Sequence, residues 1–323
     1  GAVKSEVIAM NSLTVNLHLM MVSFYRPEGK KHKIVIEADA FPSDIYAVSS
    51  QIKHHGYEPN ESLIKIRPRE GENALRTEDI AKLIADKGDE IALLMLGGVN
   101  YYTGQVFDMK TLTKLAHKED ICVGFDLAHA AGNVKLELHN WNVDFAVWCS
   151  YKYLNSGPGS VAGAFIHEKH HKSNLPKFAG WWGHNKENRF KMPDDFEAIE
   201  SAEGWQLSNP PILSLAAIRA SLCIFDEVGM DILIEKSKKL TNYLIELLET
   251  LDSDKINIIT PDQRGCQVSI QVKKGNKTLF DKITKKGVVA DWREPDVIRV
   301  APVPLYNSFT DVYKFYHILA SSL

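Results

Sequence analysis

Two short segments of this sequence carry side chains able to do chemistry together. GFDLAHAAGN (Gly124–Asn133) ends one apolar run with Asp126 and, three residues on, His129. WCSYKYLNSGPG (Trp148–Gly159) ends another with Ser150, Tyr151 and Lys152. An acid at one strand end and Ser-Tyr-Lys at a nearby one is the set that a pyridoxal phosphate site needs. The lysine forms a Schiff base with the cofactor aldehyde, and the carboxylate keeps the pyridine nitrogen protonated so that the ring takes up electrons. The hydroxyls of Ser150 and Tyr151 suit a phosphate or a phenolic oxygen. Taken singly, these residues say little. A lone lysine is most often a surface charge, and Asp126 serves equally as a strand-end cap. Thr14 suits a helix surface as well as a phosphate bound through backbone N–H groups. Phe41 suits the core as well as the face of a planar ring.

The elements that must position them follow from hydrophobic periodicity. Residues 6–26 read as a helix with Asn11 or Ser12 toward its start and Pro27 at its end. Lys33–Asp44 reads as a strand running into a Phe-Pro-Ser-Asp turn, and Tyr46–His55 as a helix stopped by Gly56. Leu63–Pro68 is a short strand, and Arg76–Gly88 a helix capped by Thr77. Glu90–Gln105 is a buried strand opening into a Gly- and Tyr-rich loop, and Met109–Lys118 a helix. Ile121–Asp126, Val143–Ser150 and Val161–His167 are further strands. Strands alternating with helices imply a mostly parallel sheet covered on both faces, which binds ligands at the C-terminal ends of its strands. Phe41–Asp44, Gly97–Tyr102, Asp126–His129 and Ser150–Lys152 all fall there. After Trp182 the pattern changes. His184–Trp205 is polar and irregular, a helix begins after Asn209-Pro210-Pro211 and runs to about Ala220, and an amphipathic helix spans Asp231–Thr250. From Asn257 the order is strand, helix, strand, strand, helix. The expected division is a large α/β domain over 1–205, then a helical connection and a smaller α+β domain over 206–323.

Bulk properties exclude several classes. The chain has 323 residues and a formal charge of −3, with no block of one sign long enough to mark a nucleic-acid surface. No apolar stretch approaches the ~18 residues of a membrane span. Cys122, Cys149, Cys223 and Cys266 are scattered without a CxxC pair, the pattern of free thiols in a reducing compartment; a cytoplasmic protein is expected. Gly157–Gly163 matches neither GxGxxG nor GxxxxGKS, and His167–His171 lacks the HExxH order of a zinc site. No GxSxG elbow supports a serine hydrolase. No metal is expected.

Together these residues resemble the kynureninase family, within the aspartate-aminotransferase-like (fold type I) pyridoxal phosphate enzymes. The resemblance runs the length of the chain. Its most specific pieces are NSLTVNLHL (Asn11–Leu19), FPSD (Phe41–Asp44), REGE (Arg69–Glu72), YTGQ (Tyr102–Gln105), GFDLAHA (Gly124–Ala130) and DFAVWCSYKYLN (Asp144–Asn155), followed by GAFIHEKH (Gly163–His170), GWWGH (Gly180–His184), SNPPIL (Ser208–Leu213), RGCQ (Arg264–Gln267) and IRVAPVPLYNSF (Ile298–Phe309). It implies a fold type I architecture, with a mostly parallel seven-stranded sheet and a smaller C-terminal domain, and pyridoxal 5'-phosphate as cofactor. Lys152 would be the Schiff-base lysine, Asp126 the pyridinium partner, and His129 a neighbour of the ring. Phe41 would stack on the ring and Asp44 contact its substituents. Leu13, Thr14, Ser43 and Tyr151 would hold the cofactor, mainly at its phosphate. Gly97 stands where the family commonly has a serine near that phosphate. Trp181 and Asn209 would reach into a site shared between two subunits of a homodimer, with Asn209 also facing substrate. Arg299 would pair with the substrate α-carboxylate, and Tyr102 would be an acid near the substrate carbonyl. The implied reaction is hydrolytic cleavage of L-kynurenine, or its 3-hydroxy form, to anthranilate or 3-hydroxyanthranilate and L-alanine, in tryptophan degradation and NAD biosynthesis. The resemblance begins well into a typical member, so part of the small domain and of the dimer contact is expected outside this sequence. A related fold type I lyase such as a cysteine desulfurase needs a reactive cysteine near the site. A catalytically silent dimer partner is the third reading.

Overall fold

The computed structural model describes residues 1–251, 253–273 and 277–323. Among these, two sheets organise the chain. The elements of the first part are β1 (Val7–Ala9), α1 (Leu13–Phe24), β2 (Lys33–Glu37), α2 (Pro42–His54), α3 (Pro59–Ser62), β3 (Leu63–Ile66), α4 (Thr77–Lys87), β4 (Ile91–Gly97), α5 (Met109–Lys118), β5 (Cys122–Asp126), β6 (Phe145–Trp148) and β7 (Gly163–Ile166). Its seven strands lie in the order β1-β7-β6-β5-β4-β2-β3. The run from β6 to β3 is parallel, whereas β7 is antiparallel to both its neighbours. Strand β4, IALLMLG, is apolar on both faces because helices cover both. One face packs Met20, Met21 and Phe24 of α1 and Val48 and Ile52 of α2 against Ile34, Leu93 and Phe145. The other packs Ile80 and Ile84 of α4 and Leu112 and Ala116 of α5 against Leu94, Val123 and Phe165.

Residues 168–205 run through short single turns, as their polar, irregular pattern suggested. Two long helices follow, α6 (Ile212–Val228) and α7 (Met230–Leu248). The remaining elements are β8 (Ile256–Ile258), β9 (Val268–Val272), α8 (Thr278–Lys285), β10 (Asp291–Arg293), β11 (Val297–Val300) and α9 (Phe309–Ala320). The four strands form an antiparallel sheet, β10-β11-β9-β8. Its core joins Leu240 and Leu244 of α7, Ile283 of α8 and Leu319 of α9 to Val268, Ile270 and Ile298.

Several boundaries differ from the sequence reading. The helix expected over 6–26 starts only at Leu13, because Val7–Ala9 pairs with the exposed edge of β7 instead. Asn11 makes the break with φ +50°, and buried Asn16 secures it by donating to the Met10 carbonyl. The Phe-Pro-Ser-Asp turn is already helix: Phe41 is the N-cap and Pro42 the first helical residue, where a missing N–H costs nothing. Thr77 is likewise the first residue of α4 rather than its cap. Helix α6 continues eight residues past Ala220, to Val228. A second strand, β9, precedes α8.

At the centre of the large sheet, Gly124 has no side chain because Phe145 of the neighbouring strand fills the space. A Cβ there would lie 2.1 Å from the Phe145 ring. Gly124→Ala therefore overpacks a completed core layer, and urea unfolding is expected to show a loss of about 1–3 kcal/mol. Gly157→Ala, with nothing around the added Cβ but a φ of +80°, serves as the comparison without overpacking.

Candidate active site

The C-terminal ends of β2, β4, β5 and β6 deliver their following residues to one cleft, together with the first turns of α1 and α2. It is lined by Leu13, Thr14, Glu37, Phe41, Ser43, Asp44, Gly97, Val99, Tyr101, Asp126, Ala128, His129, Tyr151 and Lys152. Most of the residues singled out in the sequence thus meet here from well-separated stretches of chain. Lys152 lies in the turn after β6, its Nζ 3.0 Å from His129 Nε2 and 5.9 Å from the centre of the Phe41 ring. Burial, with Lys152 and the Arg299 and Arg293 guanidiniums nearby, holds the His129 imidazole well below its usual protonation range. A neutral Nε2 accepts from Lys152. His129 Nδ1 is buried without a partner.

Opposite the lysine stand three carboxyls. Asp126, last residue of β5, accepts the Ala128 N–H at 2.6 Å. Burial raises both Asp44 and Asp126, and Asp44 further through repulsion from Asp126, to which it is hydrogen-bonded. Two carboxyls in contact cannot both ionise in a buried place. Asp44 keeps the proton and donates it, while the backbone donor and Lys152 favour the anion on Asp126. The third acid, Glu37, ends β2. It is 4% exposed, accepts the Gly97 N–H at 3.2 Å, and burial pushes it up to about 7. Gly97 pairs in register with Asp126, and a Cβ at Gly97 would approach Glu37 Oε1 to 2.9 Å. The absent side chain thus makes room for Glu37.

At the other end of the cleft, Thr14 and Ser43 hydroxyls hydrogen-bond at 2.9 Å. They sit in the first turns of α1 and α2, where backbone N–H groups have no helical acceptor. A pyridoxal phosphate fits these residues. Its phosphate would meet two helix N-termini and two hydroxyls, and Asp126 would meet its ring nitrogen, with the partnerless Asp44 Oδ1 beside it. Its aldehyde would meet Lys152, while Phe41, 45% exposed, would offer a face.

Four expected site residues do not line the cleft itself. Tyr102 does not line the cleft. Its phenol faces Asp296 instead, and burial, with Asp296 beside it, raises it to about 12. Tyr101 is the phenol in the cleft, edge-on to Phe41 at 5.4 Å. Arg299 approaches from β11 and donates to the Tyr101 carbonyl at 2.8 Å. Trp181 and Asn209 are exposed, on neighbouring segments joined by the Trp182 N–H and the Leu207 carbonyl. Sequence reasoning missed Glu37 and Tyr101; the signal for Glu37 was an acid ending the otherwise apolar strand KIVIE. None of the four cysteines lines the cleft.

The chain is similar to known proteins across its whole length. The kynureninase C-terminal domain family matches residues 233–319, and the DegT/DnrJ/EryC1/StrS aminotransferase family residues 2–139. A kynureninase of Flavobacterium psychrophilum is 57% identical over all of this chain and 78% of its own. The mouse kynureninase is 50% identical over all of this chain and 72% of its own. Among solved structures, a cysteine desulfurase of Thermococcus onnurineus aligns with TM-score 0.80 at 18% identity over 99% of this chain and 80% of its own. The cystine C-S lyase C-DES, in a mutant form with glycine covalently linked to the PLP cofactor, aligns with TM-score 0.81 at 16% identity over 98% of this chain and 80% of its own. These two structures share the fold.

The Glu37 carboxyl has a testable consequence. Its pKa in the folded chain, about 7, lies above the ordinary 4.5, so the folded state holds a proton that the unfolded state releases. Its contribution is complete below pH 4.5 and is lost as pH rises to about 7, amounting to at most about 3 kcal/mol. Glu37→Gln keeps an acceptor for Gly97 without the titration. In cofactor-free protein, the variant is expected to gain stability over the parent at about pH 8 and not at about pH 4.5, as read by denaturant unfolding.

Proposed function

This chain belongs to the kynureninase family, and on that premise we propose how its own residues divide the work. It is a pyridoxal-phosphate-dependent hydrolase that cleaves the Cβ–Cγ bond of L-kynurenine, and of 3-hydroxy-L-kynurenine, releasing anthranilate or 3-hydroxyanthranilate and L-alanine. The observation that carries the assignment of roles is Lys152 Nζ, set between His129 and the Phe41 ring across the cleft from Asp126.

Bound pyridoxal phosphate supplies the electron sink for charge left on the substrate carbons. Thr14, Ser43 and the free N–H groups at the starts of α1 and α2 hold its phosphate, with Leu13 beside them and the Tyr151 phenol at the rim. Phe41 packs on the ring. Asp126 presents its anion to the ring nitrogen, and Asp44, donating its proton to Asp126, keeps that anion in place. Lys152 takes the substrate α-proton onto Nζ and returns it. His129, neutral, accepts a hydrogen bond from Nζ and holds the amine in position for both transfers. Arg299 pairs with the substrate α-carboxylate. These assignments place the chemistry in 1–205 and carboxylate recognition in 206–323.

Trp181 and Asn209 are exposed and do not line the cleft of their own chain. Their clustering on one surface supports a homodimer in which each copy supplies them to the other's site. From that reaction we infer a place in tryptophan degradation toward NAD. Free cysteines support a cytoplasmic setting, and no described helix is long and apolar enough to cross a membrane. The desulfurase reading has no cysteine at the cleft to carry it.

Lys152→Ala is expected to lose about 10²–10⁴-fold in kynurenine turnover and to lose the cofactor absorbance that borohydride bleaches. Full turnover in that variant would end the assignment. Absence of turnover in the parent chain, with cofactor bound on Lys152, would instead favour the silent-partner reading. Sedimentation of the loaded protein tests the dimer.

A further inference from the structure

On the small sheet, β10 and β11 pair antiparallel with Asp291 directly opposite Arg299. Directly opposite residues share a face, and so does Arg293, two residues along β10. That face carries three charged groups in contact. Asp291 Oδ2 accepts from Arg299 Nη2 at 2.5 Å and from Arg293 Nη2 at 3.4 Å. The Arg293 guanidinium also lies 6.0 Å from the centre of the Tyr101 ring, which lines the cleft. Arg299 has its Nη1 on the Tyr101 carbonyl at 2.8 Å. Its side chain is only 10% exposed, while that of Asp291 is 54% exposed.

We propose that Asp291 is the positioning residue that aims the Arg299 guanidinium at the substrate carboxylate; this rests on the reading of Arg299 as the carboxylate partner. Two anchors define a planar group. The Tyr101 carbonyl and the Asp291 carboxylate take one N–H from each terminal nitrogen of Arg299 and leave three of its five donors for a ligand. A carboxylate bound by a fork depends on that plane, because both N–H bonds must align together. Asp291 also stands between two guanidiniums of like charge. Without it, Arg293 and Arg299 repel across the strand pair, and Arg299 keeps a single anchor about which it rotates. An exposed ion pair is worth little on its own; here one partner is nine-tenths buried and held in strand register. Substrate binding then exploits an orientation that folding has already set, so ordering Arg299 costs nothing at the moment of binding.

The test uses cofactor-loaded enzyme and two small amines, L-alanine and ethylamine. They differ by the carboxylate alone, and both change the cofactor absorbance on binding. Their affinity ratio isolates the contribution of the carboxylate. Asp291→Asn is expected to weaken L-alanine about tenfold and leave ethylamine unchanged, the scale of one misaligned charge-assisted hydrogen bond. KM for L-kynurenine is expected to rise more than kcat falls, as for an interaction made equally in ground and transition states. Asp291→Glu, which keeps the charge, is expected to recover part of the ratio. Thermal melting and borohydride trapping on Lys152 establish that each variant is folded and loaded; if Asp291→Asn does not fold, Asp291→Ser, which also removes the carboxylate, takes its place, an unchanged ratio counting against the proposal. An L-alanine to ethylamine ratio equal to that of the parent, or a tighter one, overturns it. Arg299→Gln separates the two layers. If that variant keeps the ratio, Arg299 is not the carboxylate partner. If it collapses the ratio while Asp291→Asn does not, only the role of Asp291 falls.

Discussion

Three buried carboxyls and one amine share a single cleft, and most of the architecture around the site answers that constraint. Glu37, Asp44 and Asp126 come from β2, α2 and β5. An isolated buried anion is too costly to keep, so such groups retain protons or acquire donors. Here both happen. Asp44 keeps its proton and gives it to Asp126, Ala128 and Gly97 offer backbone N–H groups, and Lys152 stands across the cleft. The result is one well-placed anion on Asp126 rather than three competing ones. A cofactor that brings a protonated ring nitrogen to this end and a phosphate to the hydroxyl end complements both charges. Because it binds the folded chain only, it also stabilises the fold that built the site.

The second sheet is tied to the first at the same place. Gln267 donates to the carbonyls of Tyr101 and Tyr102, Ser269 to that of Tyr102, and Thr260 to that of Thr103. Arg299 reaches the Tyr101 carbonyl as well. Behind His129, buried Asn133 bridges the two parts: its Nδ2 donates to the His129 carbonyl at 2.8 Å and its Oδ1 accepts the Cys266 N–H at 2.9 Å. Gly265 permits this, since a Cβ there would lie 2.4 Å from Asn133 Oδ1. The turns carrying Tyr101 and His129 therefore belong to the large sheet by sequence and are held by the small one. Position of the carboxylate-binding arginine and position of the ring are set by one connected network.

Much of this was legible in the residues. Apolar runs ending in Asp126 and Lys152 marked strand ends, and alternation of strands with helices implied a parallel sheet whose C-terminal edge collects ligand-binding side chains. By that logic Phe41, Asp44, Gly97, Asp126, His129 and Lys152 share a site, and they do line one cleft. Where local pattern misled, a long-range partner was responsible. Val7–Ala9 continues a helical periodicity but becomes a strand because the edge of β7 offers hydrogen bonds. Tyr101 and Tyr102 are chemically alike and adjacent; which phenol meets the cleft depends on the turn that the small sheet grips.

By itself, the sequence determined which groups were available and on which strand ends they would stand, because side-chain chemistry and hydrophobic periodicity are local properties. It also determined the family, through many short matches in order. Tertiary structure alone decided the rest. Glu37 was pushed up to about 7 by losing its water, Asp44 came to keep its proton through burial beside Asp126, and Asp291 met Arg299 through a strand register that joins residues eight positions apart. Burial, carboxyl pairing and register are properties of neighbours brought together by folding, and no single segment contains them.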